Sequence, residues 1–138
     1  MINDETTDQE TGFLMPSAKN FDVLNLFSLK NTTTLITGSA HGIGRVAAIA
    51  CGKAGGKIAI TDKDFKSAKI LEKELIDAGI EAKAWELDIT NEENIITVFR
   101  ETASYFGSID ILINNAGTAN RSPAEEMKTE DFENIIKL

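Results

Sequence analysis

The sequence predicts an α/β domain, a doubly wound parallel sheet with strand order 3-2-1-4. Three observations carry this. From Thr33 onward, short apolar runs alternate with helical patterns, which implies βαβ units and a parallel sheet. The run around Ile111-Leu112-Ile113 is apolar throughout, as a central strand covered on both faces is. A glycine-rich turn, Gly38 to Gly44, joins the run ending Leu35-Ile36 to a segment of small apolar residues, Val46 to Ala54. Right-handed crossovers then put the second and third strands on one side of the first, and the fourth on the other.

The elements follow in order. Residues 1–26 read as a polar, mobile extension with a turn near Met15-Pro16-Ser17, and residues 27–138 as the folded, incomplete domain. Phe21, Val23, Leu24, Leu26 and Phe27 are too apolar for a free linker and are expected to dock on the domain or on a partner subunit. Strands are expected at residues 33–37, 57–61, 82–87 and 109–113, and helices at 43–54, 65–78, 92–106 and from Glu130 to the end. Gly55-Gly56 and Gly79 stop the first two helices. Thr90 and Glu93 have the spacing of a capping box for the third. Thr129 can cap the fourth, with Glu130 and Asp131 favourable in its first turn. The single cysteine, Cys51, excludes an internal disulfide and reads as a small core residue of the first helix.

The glycine-rich turn carries chemistry. Between a buried strand and a helix, it lets backbone N–H groups approach a pyrophosphate, and the helix N-terminus adds partial positive charge there. Gly38 frees the tight turn, Gly42 removes a side chain from the phosphate path, and Gly44 allows close packing of helix on strand. Asp62, at the end of the second run, stands where an adenosine ribose presents its hydroxyls. A carboxylate there repels a 2′-phosphate by about 4 kcal/mol at about 4 Å and an effective dielectric of about 20. That favours NAD over NADP, although Lys63 beside it softens the preference. The plainer reading of Asp62 is a turn residue ending a strand. Asn114-Asn115-Ala116-Gly117 leaves the fourth strand at its carboxyl end, the edge where open α/β sheets bind ligands. Arg45 either reaches a phosphate or is solvated. His41 reads as a loop residue near the phosphates rather than an acid/base group, and the adjacent Glu125 and Glu126 read as solvated.

Taken together, Thr-Gly-x-x-x-Gly-Ile-Gly at 37–44, the acid at 62, Leu87-Asp88-Ile89-Thr90 and Asn114-Asn115-Ala116-Gly117 resemble the short-chain dehydrogenases/reductases, from about Phe27 to the last residue. The resemblance implies a Rossmann-type fold and hydride transfer between NAD(H) and a small alcohol or carbonyl substrate. It implies that Gly38, Ser39, His41, Gly42, Ile43 and Gly44 hold the pyrophosphate and Asp62 the adenosine ribose. Asp88 and Ile89 would border the adenine, and Asn115, Ala116 and Gly117 would line the path toward the nicotinamide. Asp88 is read equally well as helix-start chemistry ahead of Thr90. The family's acid/base group is a tyrosine with a lysine four positions later, on the far side of the fourth strand. The one tyrosine here, Tyr105, precedes that strand and has Ile109 four positions on, so no residue is assigned a catalytic role. The expected reading is therefore the cofactor half of a longer enzyme, without turnover by itself. The alternative is a catalytically inactive nucleotide-binding regulatory or interaction protein.

Charge and composition narrow the partners. A formal net charge of −8 with dispersed acids argues against nucleic acid and anionic membrane surfaces. No apolar stretch is long enough to span a bilayer, no cluster of cysteine and histidine suggests a metal, and the acidic amino terminus is unlike a signal peptide. A cytoplasmic location is expected, and the resemblance leaves a homo-oligomer open.

Overall fold

The computed structural model describes residues 22–119 and 123–136. The sequence features at Met15-Pro16-Ser17 and Phe21 lie outside them.

Four strands, β1 (Thr33–Thr37), β2 (Lys57–Asp62), β3 (Ala82–Glu86) and β4 (Ile111–Ile113), form one parallel sheet in the order β3-β2-β1-β4. The register runs from Thr33 opposite Lys57 to Thr37 opposite Thr61, from Ile58 opposite Ala82 to Asp62 opposite Glu86, and from Thr34 opposite Ile111 to Ile36 opposite Ile113. The expected doubly wound α/β fold is the one observed.

Side-chain alternation along the strands assigns the helices to two faces. Ile36, Ile58, Ile60, Ala82 and Ala84 form one buried cluster with Ala48 of α1 (Gly42–Lys53) and with Ala68, Leu71 and Leu75 of α2 (Phe65–Asp77). Leu35, Ala59 and Trp85 point the other way and join Val98 and Phe106 of α3 (Glu92–Phe106). Leu35, Ile36, Ile58 and Ile60 have no exposed surface. Each such side chain contributes about 1.5–3 kcal/mol of burial. Because every strand is parallel, all carboxyl ends meet at one edge, where the candidate site lies.

The helix ends have local causes. Gly55, Gly79 and Gly107 take φ of +98°, +78° and +95°, the left-handed conformation that terminates the three helices. Cys51 is half-buried against the first cluster, and burial raises its thiol pKa. A fourth helix, α4, covers Thr129–Ile136, so Thr129 is its first helical residue rather than the residue ahead of it. Glu125 and Glu126 are exposed in a short 3-10 turn.

Three expectations are corrected. The third helix is capped by Asn91, whose side chain accepts the Asn94 N–H at 3.1 Å, and not by Thr90 with Glu93. The Thr90 hydroxyl is taken by Asp88, to which it donates at 2.6 Å. The fourth strand is shorter than residues 109–113 and is not covered on both faces: Ile111 and Ile113 are half-buried and Leu112 is 44% exposed. Among the described residues no strand pairs with its outer edge. Lastly, Val23, Leu24, Leu26 and Phe27 do not dock on the domain. They form an exposed turn, Leu24–Phe27 being a 3-10 helix with Leu24 82% and Phe27 74% exposed.

Candidate functional site

At the carboxyl edge of the sheet, the loops after all four strands line an open cavity of about 1030 Å³. Gly38, His41, Gly42 and Ile43 come to it from the loop after β1, and Asp62 and Lys63 from the end of β2. Asp88 and Ile89 follow β3, and Asn115, Ala116 and Gly117 follow β4. Ten of the twelve site residues expected from sequence therefore stand around one space. Ser39 and Gly44 lie beneath it and shape it.

Ser39 is fully buried, its hydroxyl accepting the Thr61 N–H at 3.0 Å while its own N–H donates to the Thr61 carbonyl at 3.0 Å. These bonds lash the glycine loop across the top of β2. Gly44 stands where a Cβ would come within 2.4 Å of the Gly38 carbonyl oxygen and 2.5 Å of Asn115 Nδ2. The space it leaves is filled by the Asn115 amide, which donates to the carbonyls of Thr37 and Gly38, both at 2.9 Å. Gly38, at φ +62°, leaves room for Ala116, whose Cα would lie 2.9 Å from an added Cβ. The loops after β1 and β4 are thus one packed unit, which is why a turn signal after the fourth strand and a glycine loop after the first serve the same cavity.

Thr37 completes that unit and is a residue the sequence reading passed over. Its hydroxyl oxygen accepts the N–H groups of Asn115 and Ala116, each at 3.0 Å. Its place as the first residue of the glycine motif was the available signal.

Gly42 behaves differently from its neighbours. It has φ +53°, and nothing lies within 4 Å of where a Cβ would be. Its lack of a side chain leaves space open rather than relieving a clash. It also begins α1, whose preceding residue, His41, gives no side-chain bond to the first turn, whereas α2 and α3 are capped by Asp64 and Asn91. No acidic residue stands in that first turn either. A helix start with open space before it and no side-chain cap of its own suits an anionic group, so the residues fit a dinucleotide's phosphates.

Asp62 combines both sequence readings. Its Oδ2 accepts the Ala40 N–H and its Oδ1 the Asp64 N–H, each at 2.9 Å, so it braces the glycine loop and its own turn while walling the cavity. Each carboxylate oxygen retains a lone pair for a further donor. Next to it, Asp64 accepts the Ser67 N–H and hydroxyl, and those bonds, with His41 3.3 Å away, hold its carboxyl down to about 2. His41 is exposed, and Arg45 pairs with Glu74 of α2 rather than facing the cavity. Asp88 does not cap α3, which Asn91 does; it braces the turn ahead of that helix, accepting the Thr90 N–H at 3.0 Å, and its second oxygen lies 2.8 Å from Lys63 Nζ. Lys63 first, and Thr90 after it, keep the Asp88 carboxyl well below the usual range.

Tyr105 is near the end of α3, which runs back from the cavity toward the opposite edge of the sheet. It stacks edge-on against Trp85 and Phe106 and does not line the cavity. Among the described residues, no group of three or more His, Cys, Asp or Glu is placed to hold a metal ion, and no helix is long and apolar enough to cross a membrane.

Comparison with known proteins agrees with this geometry. The family described as short chain dehydrogenase matches residues 32–138. The chain is 36% identical over 114 residues to the 5-keto-D-gluconate 5-reductase of Escherichia coli strain K12, covering 83% of this chain and 45% of that protein. It is 33% identical over 120 residues to the 2-dehydro-3-deoxy-D-gluconate 5-dehydrogenase of Formosa agariphila, covering 83% and 44%. In three dimensions it is similar to a short-chain type dehydrogenase/reductase from Mycobacterium marinum, with TM-score 0.81 and 28% identity, covering 85% of this chain and 47% of that one. A hydroxysteroid dehydrogenase from Escherichia coli superposes with TM-score 0.76 and 31% identity, covering 81% and 47%. The chain spans less than half the length of these relatives.

Proposed function

The chain belongs to the short chain dehydrogenase family, and from that premise we propose that it is the dinucleotide-binding portion of an NAD-preferring oxidoreductase. The nicotinamide, when bound, supplies the hydride chemistry between an alcohol and a carbonyl. What this chain's residues do is bind and orient. The open first turn of α1 at Gly42 supports a pyrophosphate cradle over 38–44, with Ser39 and Gly44 holding its floor. Asp88 and Ile89 border the adenine end, and Asn115, Ala116 and Gly117 the path toward the nicotinamide.

One observation carries the cofactor preference: Asp62 walls the same cavity as Gly42, and both its oxygens keep acceptor capacity after taking the Ala40 and Asp64 amides. Such a carboxylate accepts from ribose hydroxyls and opposes a 2′-phosphate. Tyr105 packs against Trp85 and Phe106 and does not line this cavity, so no residue of this chain is assigned the acid/base role, and the 138-residue chain alone is expected to show no turnover.

Calorimetric titration of the full-length protein with NADH and NADPH tests the reading. NADH is expected to bind more tightly by at least roughly tenfold, which needs only about 1.4 kcal/mol. Asp62→Ala should narrow the gap. Binding of neither cofactor sinks the assignment, and tighter binding of NADPH sinks the preference.

A further inference from the structure

We propose that Asp88 is a specificity-determining residue, because it holds the Lys63 ammonium across the adenosine end of the cavity and so withholds that cation from a 2′-phosphate. The inference rests on the dinucleotide reading of the cavity given above. Lys63 directly follows Asp62, so its side chain starts beside the ribose position and is the nearest basic group in sequence to it. A lysine there, on a flexible four-carbon stem, is a ready point-charge partner for a phosphate. Its Nζ instead lies 2.8 Å from Asp88 Oδ2, joining the loop after β2 to the loop after β3, and both residues line the cavity.

The two partners are not equally free. Asp88 is fixed on its other side, Oδ1 accepting both the N–H of Thr90 at 3.0 Å and its hydroxyl at 2.6 Å. Its own N–H donates to Asn94 Oδ1 at 2.8 Å. Lys63, with a side chain 77% exposed, is the member that comes to a carboxylate already in place. Each partner favours the charged form of the other, raising the Lys63 pKa and lowering that of Asp88. Discrimination then has two layers. Asp62 repels the extra phosphate, and Asp88 occupies the neighbouring cation that would otherwise compensate. Specificity is a difference of affinities, and denying a partner to the wrong ligand enlarges it as well as adding repulsion does.

Asp88→Asn keeps an oxygen for the Thr90 turn while releasing Lys63. In the full-length protein, the ratio of the NADPH to the NADH dissociation constant is expected to fall roughly two- to fivefold in this variant, the scale of one exposed ion pair. Adding Lys63→Met in the same background should return the ratio to its starting value. Because the readout is a ratio on one sample, a reduced folded fraction cancels from it. An unchanged ratio in D88N overturns the inference. So does an equal fall in D88N/K63M, which would leave only the loss of a repelling carboxylate. If the unaltered protein binds neither cofactor, the dinucleotide reading itself fails and takes this inference with it.

Discussion

Two glycines of one eight-residue motif, Gly42 and Gly44, do different things, and substitution separates them. An added Cβ at Gly44 would lie 2.4 Å from a backbone oxygen and 2.5 Å from the Asn115 amide, so Gly44→Ala must displace the loop that joins β1 to the segment after β4. A destabilisation of about 1–3 kcal/mol is expected, as for overpacked interiors, read from the midpoint of urea unfolding. Gly42→Ala meets no atom within 4 Å, so its stability cost is limited to the φ of +53°, about 1–2 kcal/mol. Its main effect is expected on cofactor affinity, because under the proposed reading the methyl would enter the phosphate path. If G42A bound NADH as tightly as the unaltered protein, the cradle would not be where the open first turn suggests. Thr37 makes the complementary point about polar groups. Thr37→Val leaves the Asn115 and Ala116 amides without their acceptor and is expected to cost about 1–3 kcal/mol. The glycines were legible because their spacing is a backbone requirement. Thr37 was not, because its role depends on a loop 78 residues away in sequence.

At the scale of elements, helix starts show where local pattern is a sufficient guide and where it is not. The sequence pattern points to Thr90 with Glu93 as the cap of α3, whereas Asn91 caps it and the Thr90 hydroxyl is bonded to Asp88. Asn91→Ala is accordingly expected to cost about 1 kcal/mol, and Thr90→Ala to act chiefly on the Asp88 turn instead. Thermal unfolding of the two variants, with near-equal far-ultraviolet spectra as a control, checks the order. The start of α2 gives a dependence on pH. Asp64 caps it with a carboxyl lowered from 3.8 to about 2, principally by Ser67 and secondarily by His41. A group depressed in the folded state contributes stability in full above its ordinary pKa and loses it as pH falls through the folded value. The melting temperature should therefore drop between about pH 4 and pH 2 by more than it does in Asp64→Asn, which retains a capping oxygen but cannot titrate there. Parallel curves for the two proteins would remove Asp64 from the acid transition.

For the whole molecule, the order β3-β2-β1-β4 was legible because right-handed crossovers and a central glycine loop leave few topologies. Covering of its ends was not. The run at Ile111-Leu112-Ile113 is composed for an interior strand, yet Leu112 is 44% exposed and, among the described residues, nothing pairs beyond β4. Composition reports the environment a strand suits, whereas exposure depends on which neighbours surround it. The same holds for Leu24, Leu26 and Phe27, whose apolar character is clear in sequence and whose docking on the domain is not observed. An apolar strand with open N–H and C=O groups is a template for pairing with another chain. The 138-residue chain expressed by itself is therefore expected to associate as concentration rises, through β4 of one copy against β4 of another. Leu112→Lys places a charge on the exposed face of that strand and should shift the protein toward monomer without lowering its melting temperature, since the leucine it replaces is not in the buried core. Sedimentation velocity across a concentration series distinguishes the outcomes. A single monomeric species at high concentration for the unaltered chain, or association undiminished by L112K, would show that β4 is not the adhesive edge.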